Sequence, residues 1–182
     1  MNGRDTPLLV LQQNVRDAYV GGAPGVAVSG IVWVVAGIVL WQWGTAPGFG
    51  ALFFGGMLIQ PLAVVISRLL GAIKPVGAND LERMALESIA ILFVGLLIAY
   101  RLIEVAPTLV FATVALAIGA RYMLFRTLYD VSLYWALGGL LMAVGTGGML
   151  GYLKADAVPF VVGAVELVFA GLLFARARQS RA

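Results

Sequence analysis

The chain alternates between long, nearly unbroken apolar stretches and short clusters of glycine, proline and polar residues. Six such stretches run over Val26–Trp43, Phe49–Leu70, Met84–Tyr100, Thr108–Phe125, Val131–Leu153 and Val158–Ala175. Apolar runs of about 18 or more residues read as membrane-spanning helices, because roughly 20 helical residues cross the hydrocarbon of a bilayer. The connectors Gly44–Gly48, Arg101–Pro107 and Lys154–Ala157 are short, so consecutive spans are expected to be antiparallel hairpins. The longest connector, Gly71–Arg83, carries Lys74, Pro75, Gly77, Asn79 and Asp80. Within it Ala78–Glu82 reads as a helix start capped by Asn79 or Asp80.

Residues Met1–Val20 follow a different pattern. Thr6-Pro7 resembles an N-cap followed by proline in the first helical turn. Leu8, Leu11, Val15, Ala18 and Tyr19 recur at helical spacing, while Gln12, Gln13, Arg16 and Asp17 lie off that stripe. This predicts a short amphipathic helix on the membrane surface rather than a signal peptide. Gly21-Gly22-Ala23-Pro24-Gly25 then breaks the chain. The expected fold is all-α: one polytopic membrane domain over residues 1–182, a bundle of six transmembrane helices preceded by an amphipathic segment.

Composition supports this picture. The chain is 62% hydrophobic and 12% charged, with a mean hydropathy of +0.98. Histidine and cysteine are both absent, which removes imidazole and thiolate ligands, disulfides and thiol chemistry. No metal site or cofactor is expected. Nine Lys and Arg residues fall on the side of both termini (Arg4, Arg16, Arg68, Lys74, Arg83, Arg126, Arg176, Arg178, Arg181), against Arg101 and Lys154 on the other. By the positive-inside rule both termini are cytoplasmic. The basic residues cluster at span ends, so the expected partner is the lipid bilayer and not nucleic acid. Trp41, Trp43, Tyr100, Tyr134 and Trp135 sit where interfacial anchors belong.

Lipid is as apolar as leucine, so the helices must associate through small residues that let backbones approach. The fifth span offers Gly139, Ala143, Gly147 and Gly151 on one stripe, read as packing within the chain, with a homo-oligomer contact as the alternative. The odd spans repeat a serine followed by glycine (Ser29/Gly37, Ser88/Gly95, Ser132/Gly139), and the even spans an early glycine (Gly56, Gly119, Gly163). This is compatible with three copies of a two-helix unit.

Ionisable groups inside a span cost about 2.5–3.5 kcal/mol each at its centre and usually face the bundle interior. Three occur, Glu87, Arg121 and Glu166, with Gln60 beside Pro61 as a neutral fourth. A hairpin turning near Glu104 places Glu87 and Arg121 at equal depth, which predicts an intramembrane ion pair. Glu166, about 13 Å into its span at 1.5 Å per residue, and Gln60 lie near enough in depth to join them. Tyr122 and Arg126 are expected at the cytoplasmic mouth of that pocket, with Arg126 and Asp130 as a surface pair.

Two roles fit such a cluster. It can pin the helices in one arrangement, or one carboxylate can be left free to take up a proton or a cation. Catalytic motifs are lacking: Gly145-Thr-Gly-Gly148 has no following lysine, Ser29 has no histidine partner, and the carboxylates do not form an aspartyl dyad. Tyr19–Gly25 with Ser29–Trp33, Leu52–Pro61, Leu86-Glu-Ser88, Gly119-Ala-Arg-Tyr122 and Tyr134–Gly138 resemble an uncharacterised bacterial family of small six-span membrane proteins, a domain of unknown function. The resemblance implies a bacterial inner-membrane protein and carries over no functional residue. The leading expectation is binding or transport of an ion or small polar solute through Glu87, Arg121, Glu166, Gln60 and Tyr122. A structural or accessory membrane protein is the alternative, and a lipid-modifying enzyme comes third.

Overall fold

The computed structural model describes residues 7–72 and 80–179. Its α-helices are α1 Leu8–Ala18, α2 Ala23–Trp43, α3 Thr45–Leu69, α4 Asp80–Glu87, α5 Ile89–Val105, α6 Val110–Tyr129, α7 Leu133–Met149 and α8 Val158–Gln179. Short 3-10 turns at Val20–Gly22 and Pro107–Leu109 lead into α2 and α6. Five helical stretches are long and apolar enough to cross a membrane, and α7, at 17 residues, is a shorter apolar helix. Seventeen residues lie at the lower end of what spans a bilayer, roughly 17–25. The protein is an all-α polytopic membrane bundle, as the apolar pattern predicts.

Thr6 and Asn79, read from the sequence as helix caps, lie outside the described residues. Pro7 precedes α1 as its N-cap instead of occupying its first turn. The span expected to end at Tyr100 runs on to Val105, which puts Arg101 and Glu104 on its last turn, 3.7 Å apart. It is also interrupted: Ser88 separates α4 from α5. At the other extreme α7 stops at Met149, because Gly151 adopts φ 76° and Tyr152 N–H turns back to the Gly147 carbonyl at 2.9 Å. A glycine in this left-handed conformation is a common helix stop.

The helices follow one another round the bundle in the order α3, α2, α8, α7, α6, α5, and only a thin seam joins α3 to α5. Two close crossings hold the bundle. A Cβ on Gly30 would stand 3.0 Å from the Gly163 carbonyl, and one on Gly163 2.9 Å from the Gly30 carbonyl, so α2 and α8 meet backbone to backbone. Gly119 and Gly138 do the same for α6 and α7, at 2.8 and 2.6 Å. The face of α7 that packs is therefore Gly138, Leu141, Gly145 and Gly148. The expected stripe is elsewhere: no neighbour lies within 4 Å of a Cβ placed on Gly139 or Gly151, and Ala143 is exposed. Of its four residues only Gly147 comes near a described side chain, Leu153 at 4.0 Å from a Cβ placed there, so the stripe makes no close helix crossing among the described residues.

α1 also departs from expectation. Gln12, off the predicted apolar stripe, is buried, and its Nε2 donates to the Thr127 carbonyl at 2.6 Å. Leu8, Leu9 and Val10 are exposed. The helix is thus fastened under the end of α6 and touches α4. Tyr134, expected as an interfacial anchor, is buried instead; Trp41, Trp43, Tyr100 and Trp135 are exposed near helix ends as anchors should be.

Candidate functional site

The two glycine crossings also aim the polar side chains. Residues three apart share a helix face. Tyr122 follows Gly119 on α6, and Glu166 follows Gly163 on α8, by that interval, so both turn inward where the backbones meet. Ser29 sits beside Gly30 on α2. All three are buried, and Glu166 has no exposed surface. The hydroxyls of Ser29 and Tyr122 face the Glu166 carboxylate, yet neither closes a hydrogen bond to it, and both carboxylate oxygens stand without a partner, as does Ser29 Oγ. A buried polar atom left unbonded is rare, and a buried charge is costly unless something neutralises it.

The remaining members of the predicted cluster are not there. Glu87 is exposed and lies 3.8 Å from Arg83, four residues earlier on α4, so the expected Glu87–Arg121 ion pair is not formed. Arg121 reaches Ser88, the neighbour of Glu87, but the Glu87 side chain turns along α4 to Arg83 instead. Gln60 is exposed on α3, away from the interior. Arg121 is partly buried and turns from Glu166 toward α5, where its Nε donates to Ser88 Oγ at 3.1 Å. Consecutive residues on a helix point about 100° apart, which is why Tyr122 faces the interior while Arg121 faces the α4–α5 junction. Arg126 is exposed and makes no ion pair with Asp130, which takes a left-handed conformation (φ 51°) at the end of α6.

On the α1 side an aromatic group closes the interior. Tyr122, Phe125, Tyr129 and Tyr134 stack or meet edge to face with centroids 5.4–6.0 Å apart. Tyr134 Oη donates to the Gly21 carbonyl at 2.7 Å, tying α7 to the turn before α2. On the opposite side three connectors converge around a cleft of about 420 Å³ bordered by Leu40, Thr45, Thr108, Lys154 and Asp156. Phe111 lines this cleft and lies 6.3 Å from Trp33, ring centre to ring centre. Trp33 stands one helical turn along α2 from Ser29. The order from mouth to interior is thus polar rim, Phe111, Trp33, then Ser29 and Glu166.

The model for the Family of unknown function (DUF7010) matches residues 8–176, nearly the whole chain. The protein belongs to this family. No curated protein matches it, and no solved structure does. Membership in the DUF7010 family agrees with the resemblance carried by the glycine-rich motifs. Those motifs include Gly119–Tyr122 and Ser29-Gly30, parts of the two crossings that assemble the interior site. Sequence reasoning found Glu166 and Tyr122 but left Ser29 out of the cluster. The signal was available: Ser29 is a polar residue immediately before the glycine of an otherwise apolar helix.

Proposed function

We propose that this protein binds a proton or a small monovalent cation at Glu166 and moves it across a bacterial inner membrane, with both termini cytoplasmic. The observation that supports this is the bare carboxylate: two unpartnered oxygens, fully enclosed, with two hydroxyls facing them. The effective cost of isolating an ion from water is several kcal/mol even after the protein relaxes. A proton or a cation removes that cost, and Ser29 and Tyr122 supply oxygens suited to a partly dehydrated cation. The cleft opposite α1 gives an entry, with Lys154 and Asp156 at its rim and Phe111 and Trp33 as the barrier beyond.

The test uses the full chain reconstituted in vesicles loaded with a pH-sensitive dye, under imposed proton, sodium or potassium gradients. Wild type is expected to give a gradient-dependent signal, Glu166→Gln to abolish it, and Glu87→Gln to leave it intact. Equal signals from wild type and Glu166→Gln would sink the proposal.

A second reading, an accessory protein whose carboxyl only specifies packing, draws on the complete enclosure of Glu166. It predicts that no gradient produces a signal. It also predicts that Glu166→Leu raises the melting temperature, since replacing buried polar groups by apolar ones of similar size is often stabilising.

A further inference from the structure

Arg121 is the one basic residue set well within a predicted span, and it is not part of the Glu166 site. Its Nε donates to Ser88 Oγ at 3.1 Å, and Ser88 Oγ in turn donates to the Ala85 carbonyl at 2.6 Å. That chain of two bonds fixes the Nε side of the guanidinium against the α4–α5 junction. The guanidinium carbon lies 5.2 Å from the centre of the Phe125 ring, which holds the plane from a second side. No carboxylate among the described residues pairs with it, because Glu87 is turned to Arg83. The two terminal nitrogens donate to no described protein atom. A guanidinium fork with four N–H donors is therefore braced from behind, partly exposed, and without an acceptor among the described residues.

Leu86 on α4, Met123 and Leu124 on α6, and Ile91 and Val94 on α5 are all exposed. Arg126, also exposed, adds positive charge toward the α1 side, while Arg83 is paired with Glu87. A guanidinium fork matches the oxygens of a phosphate in a bidentate arrangement. The exposed apolar side chains on these three helices are suited to acyl chains, whereas a free anion would have to leave water to reach a residue within the span. The uncompensated positive charge favours a headgroup that carries net negative charge.

We propose that Arg121, backed by Ser88, holds the phosphate of an anionic phospholipid at the α4–α5 break, one lipid per chain. The test is native mass spectrometry of the full protein released from detergent after exposure to phosphatidylglycerol or phosphatidylcholine. Wild type is expected to retain one phosphatidylglycerol and no phosphatidylcholine. Arg121→Gln should weaken that retention about tenfold, the effect of losing a charge-assisted bidentate contact. Arg178→Gln, an exposed basic residue in the last turn of α8 and outside the α4–α6 site, should retain the lipid. If Arg121→Gln does not fold, as judged by circular dichroism, Arg121→Lys keeps the charge without the fork and should still weaken retention. Retention as strong as wild type in either folded Arg121 variant would overturn the proposal. Displacement of the lipid by millimolar inorganic phosphate would mark a free-anion site and overturn the lipid assignment.

Discussion

Side-chain identity explains most where it meets backbone geometry. Gly22 has φ 79°, and a Cβ there would run into the Tyr134 hydroxyl and stand 2.9 Å from the Tyr129 ring. Gly22→Ala meets both a strained conformation and a clash, so it should destabilise the bundle by about 2 kcal/mol or more in a detergent-denaturation assay. Tyr134→Phe, which keeps the stacked ring and removes only the bond to the Gly21 carbonyl, should cost about 1 kcal/mol in the same assay. Glu166 is legible as an interior residue because a polar group deep in an apolar run must face the interior, whereas Tyr122, expected at the cytoplasmic mouth, is buried beside it. Glu87 misled the same reasoning. Its four-residue spacing from Arg83 offered a local partner, and a position so close to the end of the apolar run lets a carboxylate reach the surface.

Among the elements, α7 shows how much depends on which face is turned inward. It carries glycines on two faces, and the sequence stripe of four small residues is the more regular. The packed face is nevertheless Gly138, Gly145 and Gly148, whose missing Cβ atoms admit the backbone of α6. Gly138→Leu should therefore lower the melting temperature in detergent strongly, while Gly139→Leu should leave it nearly unchanged. Equal effects would contradict the orientation of this helix. α1 makes a related point. An amphipathic stripe suggested surface attachment, but the Gln12 amide bonds the Thr127 carbonyl and Val15 is buried in the core, which fastens the helix to the bundle. Gln12→Ala should loosen α1 and speed its removal by limited proteolysis, with the membrane core left intact.

For the molecule as a whole, the three connectors after α2, α5 and α7 gather at one end, and α1 with α4 at the other. The chain contains no cysteine, so single-cysteine variants report sidedness without background. Cysteines replacing Thr45 or Asp156 should react with an impermeant maleimide from one side of a sealed membrane, and those replacing Arg83 or Arg126 from the other. Labelling of all four from the same side would break the antiparallel topology. The three-unit repeat suggested by the spacing survives only in part at this scale. Gly119 and Gly163 occupy equivalent crossings, but a Cβ on Gly56 would meet nothing within 4 Å.

From the pattern of apolar runs alone it follows that this is an all-α membrane bundle, and roughly where its helices lie. The reason is that a backbone in hydrocarbon must satisfy its own hydrogen bonds, so length and apolarity suffice to define each helix. Spacing along each helix follows as well, since each residue advances a fixed rise. The tertiary structure decided rotation. A helix that is apolar all round carries no internal mark of which face turns inward, and only the backbone contacts at Gly30/Gly163 and Gly119/Gly138 settle it. Those contacts turned Ser29, Tyr122 and Glu166 toward one another, and left Glu87, Gln60 and Arg121 to other surroundings.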